Sequence, residues 1–131
     1  MRNKKVIMLT VLFMFLLSSV CMAYQPDPDR WAWIFSDDEV GVFYDKQTIR
    51  YSDYGNTCDV WLMMVEPAKK MHSIYHFYYK KNRTYALMDF IDYDSRTGKI
   101  LDSDKYSYPD YSVIPPGTRA EVAYKHLFYR R

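Results

Sequence analysis

The chain has 131 residues, of which 26% are charged and 49% hydrophobic, with a formal net charge of +2. That length holds one domain with a modest core. The near balance of charge, with no basic patch and no RNA-recognition motif, excludes nucleic acid as a partner.

The first residues form the three parts of a signal peptide. MRNKK is a basic start, Val6 to Leu17 is an apolar run broken only by Thr10, and SSVCMA sets Cys21 at −3 and Ala23 at −1 of a cleavage site. A membrane-spanning helix needs about 20 apolar residues, and this run is shorter. The rival is a lipidated Cys21, which would anchor the protein by acyl chains. The residue before such a cysteine is normally small, and here it is Val20; the residue three places before it is usually Leu, and here it is Ser18. Both departures favour cleavage after Ala23.

Cleavage removes three basic residues and no acids, so residues 24–131 carry a net charge of −1. The expected location is the periplasm, the cell surface or the medium, with no stable transmembrane segment in the mature chain. Export implies an oxidising compartment, yet Cys58 is the one cysteine of the mature chain. It reads as a buried small hydrophobe, an intermolecular partner or a reactive thiol. No His or Lys stands beside it in sequence to favour a thiolate. A homodimer through Cys58 or an edge strand stays open.

YQPDPDR is an extended lead-in, because Pro26 and Pro28 bar a regular helix. WAWIFS alternates as a strand, SDDE turns, and VGVFYD is a second strand rich in branched and aromatic residues. TIRY is a short third strand, and Gly55-Asn56 breaks the following loop. CDVWLMMVEP is apolar on both faces, with Val60, Leu62 and Met64 on one and Trp61, Met63 and Val65 on the other. That pattern suits a central strand covered on both sides. HSIYHFYYKK and RTYALMDFIDYD follow as strands. SRTG is a hairpin turn with Gly98 where positive φ is tolerated, and KILDS returns antiparallel.

Helix is confined to the C-terminus. Thr118 and Glu121 form a capping box in TRAE. Ala120, Ala123, Tyr124, Leu127 and Phe128 then make one apolar stripe, for which the strand around Trp61 supplies the surface. The expected fold is α+β: an antiparallel β-sheet of about six strands with a C-terminal α-helix packed on one face.

No catalytic constellation is legible. His72 and His76 in HSIYH have zinc-site spacing for a helix, but on a strand four residues span roughly 13 Å, too far to share an ion. They read instead as a partly exposed strand pair, and His126 as a helix-edge residue near the C-terminal dipole. Met63, Met64, Met71 and Met88 lack copper-carrier spacing and suit core packing. DYDSRTGK lacks the glycine and final acid of a calcium loop. Asp37, Asp38 and Glu39 could pair as acid and base for glycoside chemistry, but adjacent acids on a turn are commonly just solvated. The chain lacks GxSxG and P-loop motifs. The expectation is no enzyme, no metal and no cofactor.

Tyrosine is the unusual feature, with all 14 in the mature chain. KYSYPDYS places Tyr106, Tyr108 and Tyr111 in a polar, Pro-containing connection. Either these rings pack under the crossover to the helix, or they form a protein-binding surface, where tyrosines supply stiff amphipathic contact area.

The order WAWI, FYDKQTIRY, DVWLMMV, DFIDYDSRTGKILDS and IPPGTRAE resembles the small exported bacterial proteins grouped as surface-adhesin protein E-like, over nearly the whole mature chain. The resemblance implies an antiparallel sheet with a C-terminal helix on one face. It also implies a protein partner, a host extracellular-matrix protein, although fold does not fix function. In some members a disulfide ties the helix to the sheet. This helix contains no cysteine, so its docking is expected to rest on the apolar stripe alone. Three functions follow as expectations: a non-enzymatic exported binding module, at the cell surface or in the periplasm, that holds a protein partner through sheet and loop aromatics; an envelope protein with a structural or small-ligand role and no host partner; and, last, a hydrolase with unrecognised carboxylates.

Overall fold

The computed structural model describes residues 24–130. The signal-peptide reading, Cys21 included, lies outside them. Eight strands form one antiparallel sheet: β1 Trp31–Ser36, β2 Gly41–Asp45, β3 Arg50–Ser52, β4 Thr57–Glu66, β5 Met71–Lys80, β6 Thr84–Asp94, β7 Ile100–Lys105 and β8 Ser112–Val113. The main path runs β1-β2-β4-β5-β6-β7, while β3 pairs with β4 and β8 with β6. The count is therefore eight, not about six. Two short pieces extend the ladder where β2 and β7 stop: β3, which corresponds to TIRY, and β8, which had not been read from the sequence. The third strand also starts later than expected, because Thr48 bonds the Asp45 carboxylate through its hydroxyl and holds a turn.

One helix, α1 Arg119–Tyr129, covers one face. Its buried residues Ala123, Tyr124 and Leu127 belong to the expected stripe, with Ala120 and Phe128 packed beside them. They meet Val42 of β2, Cys58, Val60 and Leu62 of β4, and Tyr79 of β5. β4 therefore supplies the docking surface through its even-numbered residues, and Trp61 points to the other face. Cys58 is buried in this core.

The docking is more than an apolar stripe, which corrects the expectation. The hydroxyls of Tyr51 and Tyr79 donate to the helix carbonyls of Leu127 and Ala120, and the Tyr124 hydroxyl donates to the carbonyl of Lys81 at 2.6 Å. Arg83 pairs with Glu121, and Arg119 pairs with Asp37 at 2.8 Å and Glu39 at 2.9 Å. Two of the three turn acids thus hold the helix start. The Arg119 hydrogen bond, with the backbone N–H groups of Glu39 and Val40, lowers the Asp37 pKa to about 2. The capping box is also modified. Thr118 Oγ1 accepts from the Glu121 N–H as expected, but the Glu121 carboxylate reaches back to the N–H of Gly117 at 3.4 Å.

The β3–β4 turn contains a local cost. Asp53, Tyr54 and Gly55 all have positive φ, at 52°, 55° and 84°, and Tyr54 is fully exposed. A tyrosine in the left-handed region is strained, and here no burial offsets the strain. Tyr54→Gly is expected to raise stability by about 0.5–1 kcal/mol in urea unfolding; a loss would mean the ring stabilises the turn.

Candidate binding site on the helix-free face

The odd-numbered residues of β4 face away from α1. Strand pairing aligns Trp33, Phe43, Met63, Ile74 and Ile91 in one row across five strands. Above this row lie His72 and Tyr93, and below it lie Trp31, Asp45, Trp61 and His76. All three tryptophans therefore stand on the uncovered face. A groove of about 490 Å³ forms here, with Met63, Ile74 and Ile91 as an apolar floor and Tyr24, His72, Tyr93, Trp31 and Trp61 around it. β4 was expected to be covered on both faces, and on this one Met63 and Val65 are buried, with Tyr24, Gln25 and Pro26 of the lead-in beside Phe43 and Val65, while no helix among the described residues lies over it.

Each side of the groove is a stack of rings. Trp61 lies against His76 with centroids 4.6 Å apart and planes 8° apart. His76 is itself held at both nitrogens: Nε2 lies 2.6 Å from Asp59 Oδ1, and Nδ1 lies 2.9 Å from Asp89 Oδ2. The two carboxylates hold the ring from opposite sides. Opposite, His72 is sandwiched by Tyr24 at 3.8 Å and Tyr93 at 5.1 Å, and Ser95 Oγ lies 2.9 Å from its Nδ1. His72 is buried, not partly exposed as expected, and burial pushes its pKa down, which favours the neutral ring. The two histidines are on one face but in separate stacks. Among the described residues, no cluster of three His, Cys, Asp or Glu could hold a metal ion.

The N-terminal lead-in completes the groove. Arg30 Nε and Nη2 donate to Asp45 Oδ2 at 3.1 and 2.9 Å, Thr48 Oγ1 donates to the same oxygen at 2.8 Å, and the Gln47 N–H donates to Oδ1 at 3.0 Å. Asp45 is fully buried. Burial pushes its pKa up, the hydrogen bonds pull it down, and the net direction is down. This clamp secures the chain that carries Tyr24 and Trp31 to the end of β2.

Tyr106, Tyr108 and Tyr111 stand apart from the groove, in the β7–β8 connection. Tyr106 and Tyr108 are 41% and 84% exposed. Tyr111 is less free, because the Lys80 ammonium lies 3.9 Å from its ring centroid. His126 is half-buried near Tyr44, and burial, then Arg130, lowers its pKa, against the stabilising effect expected of the helix dipole.

Sequence reasoning missed the groove. Trp61, His76, Asp59 and Asp89 look unrelated along the chain, and pairing of β4, β5 and β6 brings them together. The available signal was the apolar odd-numbered set of β4, because the described residues offer one helix for two apolar faces.

His76→Ala is expected to leave Asp59 and Asp89 without the ring that bridges them and Trp61 without its support. Stability should fall by about 1–2 kcal/mol, and tryptophan emission should broaden and shift to the red. Unchanged emission would mean that Trp61 is held by other contacts.

The fold and the site define an α+β protein in which one helix covers one face of an open antiparallel sheet and the other face carries an aromatic groove. No protein-family model, curated protein or solved structure matches the chain. No helix among the described residues is long and apolar enough to cross a membrane.

Proposed function

We propose that the protein is an exported, non-enzymatic binding module whose ligand seats in the helix-free groove, in an envelope role that needs no host partner. The observation that carries this reading is the half-buried apolar floor of Ile74 and Ile91, set on buried Met63, between two braced ring stacks. Apolar concavities with a few fixed polar groups are the usual form of ligand sites. Binding is favoured over catalysis because His76, the residue best suited to proton transfer, has a carboxylate at each ring nitrogen and no nitrogen left for a substrate. Export with cleavage after Ala23 makes Tyr24, already stacked on His72, the first residue of the mature chain.

The test compares the exported protein with an Ile91→Arg variant, which sets a charge on the groove floor. Each is presented with envelope extract and, separately, with matrix proteins. Retention of an envelope component by the parent but not by the variant supports the groove; equal retention overturns it.

A second reading, a surface adhesin for host extracellular-matrix proteins, is favoured by exposed Tyr106 and Tyr108 and by the surface-adhesin protein E-like resemblance. Here saturable retention of a matrix protein is expected to be lost when Tyr106, Tyr108 and Tyr111 are replaced by Ala. Intact retention by that folded variant would remove this surface.

A further inference from the structure

We infer that a second site, separate from the groove, lies between α1 and the sheet and takes the alkyl chain of an amphiphile whose head carries no negative charge.

The site begins as a gap in the packing of the helix. Along the α1 stripe, the residues of the first turns are the small Ala120 and Ala123, and the larger Tyr124, Leu127 and Phe128 come later. A cavity of about 240 Å³ is left between the two alanines and Met64, Tyr75, Phe77 and Tyr85 of the sheet. Those four sheet residues and Ala120 are half-buried, so each keeps some surface open to a ligand. The helix start is fixed in place and does not settle into the gap. The Tyr79 hydroxyl donates to the Ala120 carbonyl at 3.3 Å, Arg119 pairs with Asp37 and Glu39, and Arg83 pairs with Glu121.

The lining selects the chain. Arg119 is the one charged residue on it. Apolar cavities stay dry and take apolar guests. At about 30 Å³ for a water-sized group, this one holds about eight chain carbons. Its wall is already ordered, with the Phe77 ring centroid 6.0 Å from that of Tyr75 and 5.8 Å from that of Tyr85. A chain that enters therefore immobilises few side chains.

The surrounding charge selects the head. Arg119 is engaged by two carboxylates, Asp37 and Glu39. At Tyr75, burial chiefly, then Asp92 and Glu66, push the hydroxyl pKa up, against the Ser73 hydrogen bond and Lys69. Asp37, Glu39, Glu66 and Asp92 thus stand against Arg119 and Lys69. A carboxylate or phosphate head would meet like charge, whereas a hydroxyl, sugar or ammonium head would not.

The test titrates the full exported protein near neutral pH, by calorimetry and thermal unfolding. The probes are octyl glucoside, octylamine and octanoate, which share one chain, each below its micelle-forming concentration. We expect saturable binding of octyl glucoside and octylamine, with octanoate about fivefold weaker or more. Ala120→Leu, which fills the cavity from the helix, should weaken octyl glucoside about tenfold or more and leave the melting temperature unchanged or higher. If no octyl probe binds, if octanoate binds as tightly as the other two, or if Ala120→Leu binds as well as the parent, the inference is overturned. Should Ala120→Leu fail to fold, Met64→Phe fills the same space from β4 and is read by the same two outcomes. Ile91→Arg, in the groove of the other face, should leave octyl glucoside binding unchanged. Loss of binding in that variant would place the chain in the groove and overturn the inference, leaving the groove reading in force.

Discussion

Leu127→Ala is expected to lower the unfolding free energy by about 2–5 kcal/mol, the range for removing a buried leucine and leaving a cavity. Leu127 is 1% exposed and sits in the core against the even-numbered face of β4, while its carbonyl accepts the Tyr51 hydroxyl. The side chain falls on the helix stripe, and the helix, with Ile114 beside it in the core, covers that face. Loss of this contact therefore exposes the main core and not a satellite. Urea unfolding should show a lower midpoint with little change of slope. Val122→Ala on the outer side of α1, where Val122 is 40% exposed, should stay within about 0.5 kcal/mol of the parent. Equal losses for the two variants would contradict the docking described here.

Arg30→Ala should have the second large effect, and its size should depend on pH. In the parent, the folded-state pKa of Asp45 lies below its ordinary value because the hydrogen bonds outweigh burial. Its stabilising contribution is therefore complete above the unfolded value of about 3.9 and is lost as pH falls through the folded value. Without the guanidinium, burial remains with only the Thr48 and Gln47 bonds against it. The carboxyl pKa moves up, and acid sensitivity begins at a higher pH. At pH 7 the cost is expected to be about 2–4 kcal/mol, that of a buried charge deprived of one partner. At pH 4, where the carboxyl takes up a proton, the gap between variant and parent should narrow. Thermal unfolding at the two pH values measures both; a gap that stays constant would mean that Asp45 does not need Arg30. The same variant releases the lead-in that carries Trp31 and Tyr24, so ligand retention should fall with stability.

Local features were legible in the chain because they depend on near neighbours. Alternation around Trp31 and Trp33, the double apolar pattern of β4, the turn at Gly98 and the Thr118 cap with its stripe all place elements where the structure has them. The two short strands were harder to read. β3 is displaced because Thr48 serves the Asp45 carboxylate, and β8 is two residues long with no periodicity to detect. Non-local pairing was invisible. No spacing rule joins Tyr51 to the Leu127 carbonyl or Arg119 to Asp37, and those contacts add to the stripe in holding the helix.

From the sequence alone came one α+β domain, a terminal helix with a defined apolar side, and the lack of a recognisable catalytic motif. Tertiary structure decided which side of β4 that helix covers, and hence which stays open. A strand apolar on both faces is compatible with either choice. Only the cross-strand register sets His76 between Asp59 and Asp89 and lines up Trp33, Met63 and Ile91, because neighbours in a sheet are chosen by hydrogen-bond pairing and not by distance along the chain.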